Sequence, residues 1–207
     1  MSQTIFETSQ TTDIKFVEHI CWQMLSDAAK DRKHPMHTVV IGTAAGALAH
    51  MRTVVLRRVD IETRKLYFHT DIRSAKIDQI RATGQLSWLA YDPSRRSQLR
   101  LSGPTILHHG DELARLHWEK TQHYSRRCYL LPDGPSQPLM HDVSEVDERL
   151  SSFSYSKEES EAGFDHFVVV ETQVDSMEWY YTYSRGNRRA LFSYHAGALV
   201  SQAWLTP

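Results

Sequence analysis

Across residues 13–30 the apolar side chains Ile14, Val17, Ile20, Cys21, Met24, Leu25 and Ala28 recur at steps of three and four, which lines them along one stripe of an α-helix. Thr12 or Asp13 offers the side-chain oxygen of an N-cap. The rhythm then changes to β-branched runs. Residues 38–43 and 52–59 are rich in Val, Ile and Thr, and 65–70 alternate with Leu66 and Phe68 on one face, so three successive antiparallel strands are predicted. Residues 42–46 and 60–64 supply turns short enough for neighbouring strands to pair. Helical spacing returns over 74–82 through Ala75, Ile77 and Ile80, and Gly84 sits where a C-terminal stop belongs.

Two further strands are predicted over 86–91 and 97–107, parted by the turn Asp92-Pro93-Ser94, and a helix over 111–122. Pro132, Gly134 and Pro135 mark 131–137 as an ordered loop or linker, and the polar stretch 142–163 reads as a short helix and a flexible connection. Residues 167–171, 177–183, 189–194 and 199–205 complete the strands. Six to eight strands with short turns and only three or four helices show no βαβ alternation. The expected fold is mainly β with peripheral helices (α+β), an antiparallel barrel built as one domain over 1–207.

The bulk composition, 41% hydrophobic and 24% charged over 207 residues, suits one sizeable globular core. No apolar run approaches the roughly 20 residues that span a bilayer, and residues 1–10 lack the basic-then-apolar pattern of a secretory signal, so a cytoplasmic protein with no membrane partner is expected. Cys21 and Cys128 form no CxxC pair. Twelve histidines raise the possibility of a metal, but no HExxH occurs and their spacing gives no ligand set, so no metal is expected.

Charge changes the picture more. Residues 52–100 hold eleven Lys/Arg against five Asp/Glu, whereas the remainder is net acidic, so a total of −1 conceals a basic segment. Such segregation points to an anionic partner. Arg52 at a strand start can meet a phosphate bidentately, and Arg57 can reach another part of the same ligand. Thr70, Ser74 and Lys76 add two hydroxyls and an ammonium at the entry to a short helix, whose free N–H groups favour an anion. Neither GxGxxG nor GxxxxGK[ST] occurs, which disfavours Rossmann and P-loop sites, and no nucleic-acid motif accompanies the basic tract.

The tracts Arg52-Thr53-Val54-Val55-Leu56-Arg57-Arg58-Val59-Asp60, Leu66 to Lys76, Gln79-Ile80 and Gln98 to Gly103, in that order, resemble the signature of the pyridoxamine 5′-phosphate oxidase-like family. The likeness is strong over about residues 36–107, weaker over 111–140, and returns in Glu178-Trp179-Tyr180 and Trp204-Leu205-Thr206-Pro207. It implies an FMN-binding split β-barrel acting as a homodimer, with FMN at the subunit interface. By the same resemblance Arg52, Thr53, Val54, Val55, Leu56 and Arg57 line the flavin, Arg52 and Lys76 hold its phosphate, and His69, Thr70 and Ser74 border it. Gln98 reaches the ring from the neighbouring subunit, Ser136 lies in a flavin-contacting loop, and Tyr180 covers the ring.

Three positions depart from the family pattern. Ala75 stands where the vitamin-processing enzymes carry a second basic residue, His69 replaces a tyrosine, and 187–192 lack their Arg-x-His. FMN binding is expected to survive, while recognition of pyridoxine phosphate is loosened. Arg57 together with Arg188 or Arg189 can hold a small anionic substrate. The expected function is an FMN-dependent oxidoreductase with no assigned catalytic side chain; the alternatives are the vitamin B6 oxidase itself and a non-catalytic flavin- or haem-binding barrel.

Overall fold

The computed structural model describes residues 12–137, 150, 152–184 and 186–207. Helix α1 (Ile14–Lys30) starts at Asp13, whose carboxylate accepts the Lys15 N–H at 2.9 Å, and buries Val17, Cys21, Trp22, Met24, Leu25 and Ala28 along one stripe. The strands are β1 (Thr38–Ala45), β2 (Leu48–Val55), β3 (Arg58–Asp60), β4 (Lys65–Asp71), β5 (Gln85–Asp92), β6 (Ser97–His108), β7 (Phe167–Gln173), β8 (Ser176–Tyr181), β9 (Arg188–His195) and β10 (Ala198–Leu205). Between them lie α2 (Ala75–Thr83), α3 (Glu112–Lys120) and the single turn α4 (Lys157–Ser160). No helix among the described residues is long and apolar enough to cross a membrane.

Contacts divide the chain into two compact units, one of Met1–Phe68, Thr83–Ile106 and Glu171–Pro207, the other of His69–Ala82 and Leu107–Val170. In the first unit the strands follow the order β10-β9-β8-β6-β5-β1-β2, and every pairing in that path whose register is defined is antiparallel. Strict alternation governs the centre. Leu99 and Leu101 of β6, Met177, Trp179 and Tyr181 of β8, and Ala190, Phe192 and Tyr194 of β9 point inward, so the intervening residues face out. Trp179 donates its indole N–H to Ser97 Oγ at 2.9 Å, and Trp88 donates to Thr172 Oγ1 at 3.1 Å, which satisfies both buried donors. At Gly103 a Cβ would lie 1.9 Å from the Gln173 carbonyl oxygen, so only glycine admits this approach of backbones.

Helix α1 is fastened by a buried polar cluster. Tyr194 donates to Glu18 Oε1 at 2.9 Å, Trp22 Nε1 donates to Tyr194 Oη at 2.9 Å, and Arg64 pairs with Glu18 at 3.0 Å while lying over the Trp22 ring. Burial raises the Tyr194 phenol well above its ordinary pKa, so it stays a donor. The second unit packs Trp118, Tyr129 and Phe167 edge to face, with ring centroids 5.1–5.8 Å apart. Buried Arg126 bridges Glu161 Oε1 at 2.6 Å and the Trp118 carbonyl at 2.8 Å.

Several expectations are corrected. Among the described residues there are ten strands, not six to eight. The strand expected over 52–59 breaks at Leu56-Arg57, because the chain changes partner there: Val55 still pairs with Thr38 of β1, whereas Arg58 pairs with Tyr67 of β4. Leu56 N–H instead donates to the His37 carbonyl and Arg57 N–H to that of Tyr67, each at 2.9 Å. The turn expected over 42–46 shrinks to Gly46-Ala47, since pairing continues to Ala45↔Leu48. The short helix expected within 142–163 is α4, followed by the 3-10 turn Glu161–His166, while 138–149 and 151 lie outside the described residues, as does the 1–10 stretch read against a signal peptide.

Glu18→Ala leaves Arg64 and the Tyr194 hydroxyl facing a buried gap, and removing one partner of such a pair costs about 3 kcal/mol. Thermal unfolding is expected to move down by roughly 8 °C for a chain of this size.

Candidate functional site

In the second unit the side chains that suggested a phosphate site converge. Strand β4 ends at Asp71, a tight turn follows in which Ser74 N–H donates to the Asp71 carbonyl at 3.1 Å, and α2 begins at Ala75. The Lys76 ammonium donates to Thr70 Oγ1 at 2.9 Å and to Ser74 Oγ at 2.6 Å. Both hydroxyls are buried, and each accepts from the ammonium while keeping its own proton for donation. A cation, two hydroxyl donors and the start of a nine-residue helix together fit a phosphate group. The neighbouring guanidinium of Arg73 is bound by Asp71, with Nη2 2.7 Å from Oδ2, so that pair adds no net charge. His69, on the same strand, contacts His117 Nδ1 through Nε2 at 2.9 Å and meets the Phe167 ring edge-on at 4.7 Å. That imidazole pair was not foreseen: His69 was singled out, but 48 residues separate it from His117 and no sequence pattern joins the two.

Ser136 is exposed in the loop after the 3-10 turn His123–Tyr129, with φ of +66°. Pro138 and Leu139, which carry part of its resemblance, lie outside the described residues.

In the first unit Arg52 lies on β2, and its Nη1 donates to Thr43 Oγ1 at 2.5 Å and to the His50 carbonyl at 2.9 Å. Burial lowers its pKa. Thr53 is exposed, Val54 and Val55 are half-buried, and the Leu56 side chain lies wholly in the core. Arg57 is exposed at the break between β2 and β3, so the alternation that would aim it from a continuous strand does not apply.

Register assembles a second group. Gln98 of β6 lies opposite Tyr180 of β8, and Tyr180 opposite Arg189 of β9, so the three form one row on the outward face. Arg188 lies opposite the buried Tyr181 and takes the other face, which resolves the choice between the two arginines: Arg189 is the one beside Gln98 and Tyr180. Next to that row, Glu178 pairs with Arg100 at 2.6 Å and with Arg189 at 2.8 Å. Burial by itself would raise the Glu178 carboxyl, but the hydrogen bonds and charges of Arg189 and Arg100 outweigh it and hold the group below the ordinary carboxylate range. The Tyr180 hydroxyl accepts from Asn187 Nδ2 at 2.8 Å, which orients its ring.

The sequence model of the family described as Pyridoxamine 5'-phosphate oxidase, FMN-binding domain, matches residues 19–109. That match is consistent with a divergent member of the pyridoxamine 5′-phosphate oxidase-like family. Its cofactor is FMN. The fold is similar to that of a pyridoxamine 5'-phosphate oxidase-related, FMN-binding protein from Nostoc punctiforme PCC 73102, at a TM-score of 0.70 and 19% identity over 100% of both chains. It is also similar to PhzG from Burkholderia lata 383, crystallised with tetrahydrophenazine-1-carboxylic acid, at a TM-score of 0.68 and 19% identity over 97% of each chain. No curated protein matches the sequence. Identities this low carry the split-barrel architecture and not the residue roles, which rest on the geometry above.

The Arg100–Glu178–Arg189 cluster gives a pH signature. With its folded pKa depressed, Glu178 contributes stability above the ordinary carboxylate value of about 4.3 and loses it as pH falls through the depressed value. The stability gap between wild type and Glu178→Gln is therefore expected to be full at neutral pH and to close below about pH 4, as read by denaturant melts.

Proposed function

We propose that the protein is an FMN-dependent oxidoreductase acting as a homodimer on a small anionic substrate with a conjugated ring. The observation that carries this reading is the row of Gln98, Tyr180 and Arg189, which sets an amide, an aromatic ring and a guanidinium side by side on one sheet face. Those groups can hydrogen-bond a polar ring edge, pack on its flat face and fix an anionic substituent. Two guanidinium groups around the single Glu178 carboxylate leave that patch with one surplus positive charge, which favours an anion. The ligand crystallised with PhzG, tetrahydrophenazine-1-carboxylic acid, is a partly reduced ring bearing a carboxyl group, and supports the substrate class.

When bound, FMN supplies the hydride acceptor. The chain supplies position and charge: in the second unit Lys76, Thr70 and Ser74 suit the phosphate, and in the first unit Gln98 suits a polar ring edge and Arg189 an anionic substituent. Hydride delivery needs no dedicated base, and no histidine is given that role. Support for the dimer comes from β2 and β10, the two ends of the seven-strand path, where Leu48, Met51, Leu199, Val200 and Trp204 remain exposed.

Three measurements test the reading. Lys76→Met is expected to raise the FMN dissociation constant by about 10- to 100-fold, the worth of a charge-assisted contact, and to leave riboflavin binding unchanged. Anaerobic mixing of the FMN-loaded protein with ring carboxylates and phosphorylated amines should bleach the flavin with at least one donor, and Arg189→Ala should raise KM more than it lowers kcat. Flavin that no donor reduces would sink the oxidoreductase reading, and brisk oxidation of pyridoxamine phosphate would return the vitamin enzyme. Sedimentation should give a dimer that Met51→Asp with Val200→Asp converts to monomer.

A further inference from the structure

Arg73 stands one residue before Ser74 and three before Lys76, where a second phosphate-binding cation would compensate for Ala75. Its guanidinium is directed elsewhere. Nε and Nη2 donate to the two oxygens of the buried Asp71 carboxylate at 2.9 and 2.7 Å, while Nη1 donates to the carbonyls of Leu131 and Pro132 at 3.0 and 2.9 Å. Asp71 also accepts the Arg73 N–H at 2.8 Å, and the Asp133 carboxylate adds attraction from the loop. The loop packs on the stem of the side chain as well, since a Cβ at Gly134 would stand 2.7 Å from the Arg73 Cβ. Only a planar fork of donors can grip a carboxylate with one edge and two carbonyls with another; a lysine cannot.

We propose that Arg73 is a positioning residue that fastens the 131–137 loop to the end of β4, fixing the loop that carries Ser136 to the turn that carries Ser74 and Lys76. This inference rests on the reading of Thr70, Ser74 and Lys76 as the cradle of the FMN phosphate. A phosphate ligand contributes to FMN binding and nothing to riboflavin binding. A strut that sets the loop contributes to both flavins alike, because it acts through the backbone around the ligand and not through the phosphate charge.

The test is the pair of dissociation constants for FMN and riboflavin, read by flavin fluorescence on the full chain, with amide exchange over 131–137 as a second readout. Arg73→Gln is expected to weaken both flavins by about tenfold, as for loss of one charge-assisted contact, with the FMN-to-riboflavin ratio unchanged and faster exchange in the loop. Gly134→Ala keeps the Arg73 charge and wedges the loop away from it, so it should reproduce that pattern and serves as the probe if Arg73→Gln does not fold. A selective loss of FMN affinity in Arg73→Gln would make Arg73 a phosphate ligand and overturn the proposal. Unchanged affinity for both flavins in either variant would overturn it too, whatever the loop does. Lys76→Met separates the two readings: if it leaves the FMN-to-riboflavin ratio intact, the cradle reading fails independently of the behaviour of Arg73.

Discussion

Burial of one face of the β6–β8–β9 sheet is the constraint on which the outward chemistry of the first unit depends. Leu99, Trp179, Ala190 and Phe192 have no solvent exposure, and a shift of register by one residue would turn all of them out into water. Each buried aromatic or large aliphatic side chain is worth roughly 1.5–3 kcal/mol, so the alternative register is closed by a wide margin. With the inward set fixed, the outward set has no freedom left. Gln98, Tyr180 and Arg189 become neighbours because the residues beside them must be buried, and Glu178 is brought between Arg100 and Arg189 for the same reason.

The second unit solves a different problem, that of holding a cation ready for an anion without a glycine-rich loop. Lys76 is oriented by two hydroxyls and sits within the first turn of α2, so part of the entropy of fixing a long side chain is spent before any ligand arrives. Arg73 is the counterpart. Its charge is matched by Asp71 and its remaining donors go to the backbone of the loop, which turns a residue that looks like a phosphate ligand into a piece of scaffold. Two cations three positions apart thus have different surroundings, two hydroxyls for Lys76 and a carboxylate with two loop carbonyls for Arg73.

Much of this was legible in the chain. The α1 stripe, its cap at Thr12 or Asp13, the alternation of β5 and early β6 and the Thr70, Ser74, Lys76 group follow from local spacing, whereas β4 buries Leu66, Tyr67 and Phe68 in succession and does not alternate as expected. The break at Leu56-Arg57 was not legible, because a change of strand partner leaves no mark in a run of β-branched residues. The same holds for the His69–His117 contact and for the grip of Arg73 on Leu131 and Pro132, where partners 48 and 58–59 residues away meet only through the fold.

The choice between Arg188 and Arg189 shows where the division falls. By itself the sequence determined that a basic segment sits on antiparallel strands and that three hydroxyl and ammonium groups gather at a helix start, because each rests on spacing within one or two elements; its tracts also resemble an FMN-binding domain. Only the tertiary structure decided which arginine shares a face with Gln98 and Tyr180, and whether Arg73 meets a ligand or a loop. The first depends on strand register, set by the burial of the sheet face, and the second on the Leu131 and Pro132 carbonyls, 58 and 59 residues along the chain from Arg73.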